Sequence, residues 1–197
     1  MLKTLQSIVI GFALLIGSGI TQANLISNGG FESGSFSGWG TSGLTCSGVG
    51  STFSVATGGC VGMVSDPGPY SGNYAAYLGT ALGGGVISQA FATTPGQTYL
   101  VDFFLANGSY NGSSTPNDFL VEWDTGTLMH LVGAASQGFT EYAFYVVAAS
   151  ASSTLKFTHQ QTPSFWVLDN VSVVPEPSVV ALLGLGLAAL GFSRRKQ

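Results

Sequence analysis

Asp124-Thr125-Gly126 is the triplet in this chain most suggestive of chemistry, because an Asp-Thr-Gly loop can supply one half of a carboxylate pair that shares a proton across a water. Only one such triplet is present, so a catalytic pair would need a second copy of the chain. Its place after the apolar run Phe119–Trp123 and before Leu128-Met129 reads instead as a hairpin turn. His130 and His159 stand alone, outside any His-Glu-x-x-His spacing, and no Gly-x-Ser-x-Gly elbow or phosphate-cradling loop accompanies them. Gly184 and Gly186 fall in a C-terminal apolar run, where small residues serve helix packing rather than nucleotide binding.

Three other sets of residues carry chemistry. Cys46 and Cys60 are the only cysteines and flank a Gly/Ser/Thr-rich stretch, which predicts a disulfide. A loop of that length contributes about 3 kcal/mol by restricting the unfolded chain. Trp39, Trp123 and Trp166, with Tyr70, Tyr74, Tyr77 and Tyr110, are the rings that could form a sugar-binding platform, although strand parity places Trp123 with Phe119 and Val121 in a core. Eight carboxylates between the two ends of the chain leave a glycoside-hydrolysing pair conceivable, without indicating which of them face each other.

Charge limits the choice of partners. Of 197 residues only 7% are charged, far below the roughly 25% of soluble domains, while 29 are glycine, so the surface is built from Ser, Thr, Asn, Gln and Gly. Four of the five cations (Lys3, Arg194, Arg195, Lys196) are terminal. From Asn24 to Val174, Lys156 faces eight acidic residues, a net of −7, which excludes phosphate recognition by a basic patch and hence nucleic acid.

The ends read as addresses. Lys3, the apolar stretch Ile8–Ile16 and Thr21-Gln22-Ala23 form a secretory signal helix over residues 1–23 with cleavage before Asn24, implying a Sec-type export machinery and signal peptidase as partners. At the other end Val174-Pro175-Glu176-Pro177-Ser178 precedes an apolar run, Val179–Phe192, closed by Arg194, Arg195 and Lys196. Fourteen helical residues span about 21 Å, short of a roughly 30 Å hydrocarbon core, so a transmembrane helix here is a temporary anchor. The basic stop stays cytoplasmic and the preceding chain lies across the inner membrane.

This tail, residues 175–197 with Pro175, Glu176 and Pro177 as its motif, resembles the PEP-CTERM sorting signal. The resemblance implies a Gram-negative host that makes exopolysaccharide and processing by an exosortase-like membrane protease, followed by release to the cell surface or extracellular matrix.

The residues between, 24–174, must be positioned by strands. Apolar residues alternate at Tyr99, Val101, Phe103 and Leu105, at Tyr142, Phe144 and Val146, and at Leu155 and Phe157. Further runs at 74–78, 86–91, 119–123 and 165–174, with the N-terminal run, give an all-β sandwich of about eight strands. In the last run Trp166 and Leu168 are out of phase with Val171 and Val173, as a bulge at Asp169-Asn170 would produce.

Asn24-Leu-Ile-Ser-Asn28-Gly-Gly-Phe-Glu32, Gly38-Trp39, Ser71-Gly-Asn-Tyr-Ala-Ala-Tyr77, Pro95-Gly-Gln-Thr-Tyr99 and Leu168-Asp-Asn-Val-Ser-Val173 together resemble the galactose-binding-like jelly rolls, including carbohydrate-binding modules. That resemblance implies a structural calcium ion joining the first and last strands through Glu32 and Asp169, with backbone carbonyls near Asn28.

The expectation is thus an exported, non-enzymatic envelope or matrix protein contacting extracellular polysaccharide. A secreted glycoside hydrolase and a purely structural biofilm subunit stand as alternatives.

Overall fold

The computed structural model describes residues 23–44, 47–50, 68–109 and 116–176. Asn24–Pro175 forms one compact unit. Its strands are β1 (Gly40–Ser42), β2 (Gly48–Gly50), β3 (Ala75–Ala92), β4 (Thr98–Asn107), β5 (Asn117–Trp123), β6 (Gly126–Val132), β7 (Gln137–Val147) and β8 (Ser152–Pro175). Cys46 and Cys60, for which a disulfide is expected, the signal segment, Tyr110, Pro177 and the basic stop at Arg194, Arg195 and Lys196 lie outside the described residues. Among the described residues no helix is long and apolar enough to cross a membrane.

Two strands longer than the sequence suggests organise the sandwich. The runs expected at 74–78 and 86–91 are one strand, β3, and those at 155–157 and 165–174 are one strand, β8. The paired strands shift register between Leu78 and Gly85, and beyond that irregularity their neighbours change. The first half of β8 pairs with the second half of β3 and with β5, which carries β6, while β1 lines the far side of β3. The second half of β8 pairs with the first half of β3 and with β4, which carries β7, and β2 closes the other side. The result is two facing layers sharing their two central strands, the jelly-roll arrangement expected. The N-terminal run is the exception: residues 24–32 form turns rather than a strand.

The facing sides supply one core. Val101, Phe103 and Leu105 of β4, Phe119 and Val121 of β5, and Leu155, Phe157, Trp166 and Leu168 of β8 are all fully buried. Phe157 meets Phe103 edge-on at 5.3 Å, joining the two layers. The parity slip in β8 is real: Phe104 pairs with Asp169 but Asp102 with Ser172, one residue too many on β8, and Asn170 takes φ +51°. The bulge follows Asp169, which pairs with the outward Phe104 and is buried under the turn at Ser71, and returns Val171 and Val173 to the core.

Gly29 is fixed by that bulge. Its carbonyl accepts the Val171 amide at 3.0 Å, and a Cβ at Gly29 would run into the Val171 carbonyl oxygen. Asp124 forms the predicted hairpin turn at φ +53°, joining β5 to β6. Its Oδ1 accepts the Thr154 amide at 2.8 Å, a structural task that ties the hairpin to β8.

Candidate functional site

Glu32 and Asp169 do converge, on the turn 70–74 that enters β3. Asp169, fully buried, accepts the Ser71 amide at 3.0 Å through Oδ2 and the Asn170 amide at 2.7 Å through Oδ1. Glu32 Oε1 accepts the amides of Asn73 and Tyr74 at 2.9 and 3.0 Å. Gly72, at φ +66°, lies so close to the Glu32 carboxylate that a side chain there would collide with it. Ser71 Oγ donates to Asn170 Oδ1 at 2.9 Å. Two carboxylates from opposite ends of the chain thus hold one turn by its backbone.

Burial pushes the Asp169 carboxyl above the ordinary carboxylate range, and the Glu32 charge adds to the rise against the lowering by its amide donors. These hard oxygens, negatively charged and mutually repelling, fit calcium in donor chemistry. Among the described residues no three His, Cys, Asp or Glu side chains come together, so the remaining ligands would be backbone carbonyls.

The clamped turn presents Tyr70. Its ring, 46% exposed, stacks on Phe104 of β4 at 3.7 Å between centroids and 12° between planes, and meets Phe139 of β7 edge-on at 5.4 Å. Phe104 and Asp102 lie on the outer face of the second layer, since Val101, Phe103 and Leu105 point into the core. Beside them opens a shallow cavity of about 320 Å³ lined by Asn24, Gly29, Gly30, Asp102, Phe104, Asn170, Val171 and Ser172. Asp102 Oδ1 is buried there with no hydrogen-bond partner. Burial, and then the Glu141 charge, hold the Asp102 carboxyl above its usual range. An aromatic ledge next to a polar cavity can stack a sugar ring and meet its hydroxyls.

The outer face of the first layer is different. Lys156 pairs with Glu122 at 2.7 Å and His130 with Asp118 at 3.1 Å across neighbouring strands. These charged pairs satisfy one another across the strands.

The three tryptophans do not form a platform. Trp39 is 7%, Trp123 6% and Trp166 0% exposed, all within the core, and Trp39 stacks on the buried Phe31. Alternation puts Trp123 and Trp166 on the inward side of β5 and β8, so that expectation is corrected by burial. Among the described residues Tyr70 is the exposed member of the ring set, and Phe104, Phe139 and Asp102 were not singled out by the sequence. His159 is also interior: its Nε2 lies 3.1 Å from Ser47 Oγ. Ser47 Oγ lies 2.8 Å from the Gly79 carbonyl, to which it donates, so His159 Nε2 carries the proton and cannot activate the serine.

Residues 173–196 match the PEP-CTERM protein-sorting motif. The chain carries a PEP-CTERM sorting tail. Such a tail marks an exported protein processed by exosortase for the surface or the extracellular space. The fold is that of carbohydrate-binding modules. TmCBM61, solved with β-1,4-galactotriose, superposes with a TM-score of 0.56 at 16% identity, covering 78% of this chain and 99% of the module. A family 16 carbohydrate-binding module gives 0.50 at 16% identity, covering 77% and 99%. The enzymatically active domain of tailspike protein 4 from bacteriophage CBA120 gives 0.52 at 13% identity over 78% of this chain, which spans only 21% of that protein. No curated protein sequence matches the chain.

Proposed function

We propose that this is a non-enzymatic exported protein that binds a neutral extracellular polysaccharide through the outer face of its second layer, after its PEP-CTERM tail has delivered it to the surface of a Gram-negative cell. The observation that carries the reading is Tyr70, an exposed ring backed by Phe104 and Phe139 beside a polar cavity. Pyranose rings stack their C–H faces on such rings while a carboxylate accepts their hydroxyls. The carboxylates of Asp102, which lines that cavity, and of Glu141 disfavour an anionic polymer in the absence of a bridging cation. The likeness of the fold to TmCBM61 supports the ligand class.

The Glu32–Asp169 clamp supports the site from beneath. Calcium bound there would neutralise both carboxylates and hold the turn that carries Tyr70.

Asp102 and Glu141 are the carboxylate pair on this face that a glycoside hydrolase would need. Asp102 lines the cavity and Glu141 lies outside that lining, which favours binding over cleavage. The test is native affinity electrophoresis of the purified protein in gels containing β-1,4-galactan, xylan or polygalacturonate, with a parallel reducing-sugar assay. Retardation by a neutral polymer without sugar release is expected. Release of sugar would make the protein a hydrolase, and self-association with no retardation in any gel would make it a structural subunit.

A further inference from the structure

The sorting motif begins inside the folded domain. Its matched span starts at residue 173, yet β8 runs to Pro175, where Val173 pairs with Val101, Val174 with Leu100 and Pro175 with Tyr99. Val173 is fully buried. On the other side of β8 the first residues of the domain complete the pairing. The Val173 amide donates to Asn24 Oδ1 at 2.9 Å, the Leu25 amide donates to the Val173 carbonyl at 2.8 Å, and Asn24 Nδ2 reaches the Val171 carbonyl at 3.4 Å. Asn24 Oδ1 also accepts the Ile26 amide at 3.0 Å, which holds the side chain in place. The residue expected to follow the signal peptide is therefore bonded two positions before Pro175.

We infer that Asn24 is a lock that sets where the tail can be cut. A protease binds its substrate as an extended strand and needs the backbone groups on both sides of the scissile bond. Those groups are committed to Asn24 and Leu25 at Val173, and the alternation of an antiparallel pair turns those of Val174 to β4, whose register with β8 continues to Pro175. Cleavage, in which water adds across the peptide C–N bond to leave a carboxylate and an amine, is confined to bonds after Pro175. The mature protein keeps a complete β8, and the sorting protease works from Glu176 onward. Because the lock closes only when Asn24 is seated, correct folding of the N-terminal end protects the domain from being trimmed at its C-terminal end. This inference rests on the sorting reading and is independent of sugar binding.

The test has two arms. The first is intact-mass and C-terminal peptide analysis of the processed protein from its producing host. A single C-terminus at or beyond Pro175 is expected, and a product ending before Pro175 overturns the lock. A product that keeps its whole tail overturns the sorting reading instead. The second arm treats the purified unprocessed protein with a broad-specificity protease. Wild type should be trimmed back to Pro175 and stop. Asn24→Ala, lacking the acceptor for the Val173 amide, should be trimmed into 173–175 about fivefold faster, the change expected when one hydrogen bond no longer opposes local opening. Asn24→Asp keeps that acceptor but loses the donor to the Val171 carbonyl, and should be trimmed more slowly than Asn24→Ala. Equal trimming of Asn24→Ala and wild type contradicts the inference, and circular dichroism of each variant establishes that the comparison is between folded proteins.

Discussion

The ring of Tyr70 lies on the ring of Phe104, 3.7 Å between centroids and 12° from parallel, although one residue belongs to a turn and the other to β4. A turn residue can be held that flat only if its backbone is fixed, and the neighbouring amides of Ser71, Asn73 and Tyr74 are taken by Asp169 and Glu32. Phe104→Ala should leave the turn in place but remove the support under Tyr70. A loss of roughly tenfold in affinity for β-1,4-galactan, read by isothermal titration, is expected from about 1.4 kcal/mol of lost stacking.

The clamp predicts a divalent-ion effect. Millimolar calcium should raise the thermal midpoint and a chelator should lower it, and Glu32→Gln should abolish the difference between the two conditions. Melting curves that coincide with and without calcium would remove the ion and leave the carboxylates as anchors for amides alone. In that case Glu32→Ala should still cost about 2 kcal/mol, measured in urea, because charge-assisted hydrogen bonds to Asn73 and Tyr74 are lost.

Acidification should weaken the fold through His159. Burial lowers its pKa to about 4 from the ordinary 6.5, so the neutral ring is favoured in the folded chain. This contribution is fully present above pH 6.5 and is lost as the pH falls from 6.5 to 4, where the unfolded chain takes a proton that the folded chain refuses. The difference amounts to about 3 kcal/mol. Asp102 and Asp169, with raised pKa values, act in the opposite sense at lower pH, because burial favours their protonated forms. Urea midpoints at pH 7.5, 5.5 and 4.5 should therefore fall less for His159→Asn than for wild type, and equal slopes would contradict the assignment.

Much of this architecture is written locally in the sequence. The phase slip between Trp166-Leu168 and Val171-Val173 locates the bulge, because side-chain period in a strand admits no other reading, and Asp124-Thr125-Gly126 marks its hairpin by turn chemistry. The continuity of β3 and β8 is not written there. Their mid-strand stretches Gly79–Gly85 and Gln161–Ser164 lack alternation, since a strand crossing from one layer to the other exchanges its buried face on the way. The site was half legible. Glu32 and Asp169 stand in recognisable runs, whereas Tyr70 lies in a loop with no period, and alternation puts Phe104 on the outer face without saying what covers it. Tryptophan was a poor guide because its large apolar surface is as well used in the core, where Trp166 packs on Phe119 at 5.1 Å.

Cys46 and Cys60 should be joined in the exported protein. Intact mass should rise by two hydrogens on reduction, and Cys46→Ser with Cys60→Ser should lower stability by about 3 kcal/mol in urea. An unchanged mass on reduction would leave two thiols and no crosslink.

Binding of β-1,4-galactan by the purified protein and by its Tyr70→Ala variant, measured by isothermal titration beside polygalacturonate, tests the central claim most directly. Wild type is expected to bind the neutral polymer and not the anionic one, and Tyr70→Ala, with an unchanged melting curve, to lose at least about tenfold in affinity. Equal binding by the two proteins would move the site off this face, and failure of the folded wild type to bind galactan or any other neutral polysaccharide would contradict the account.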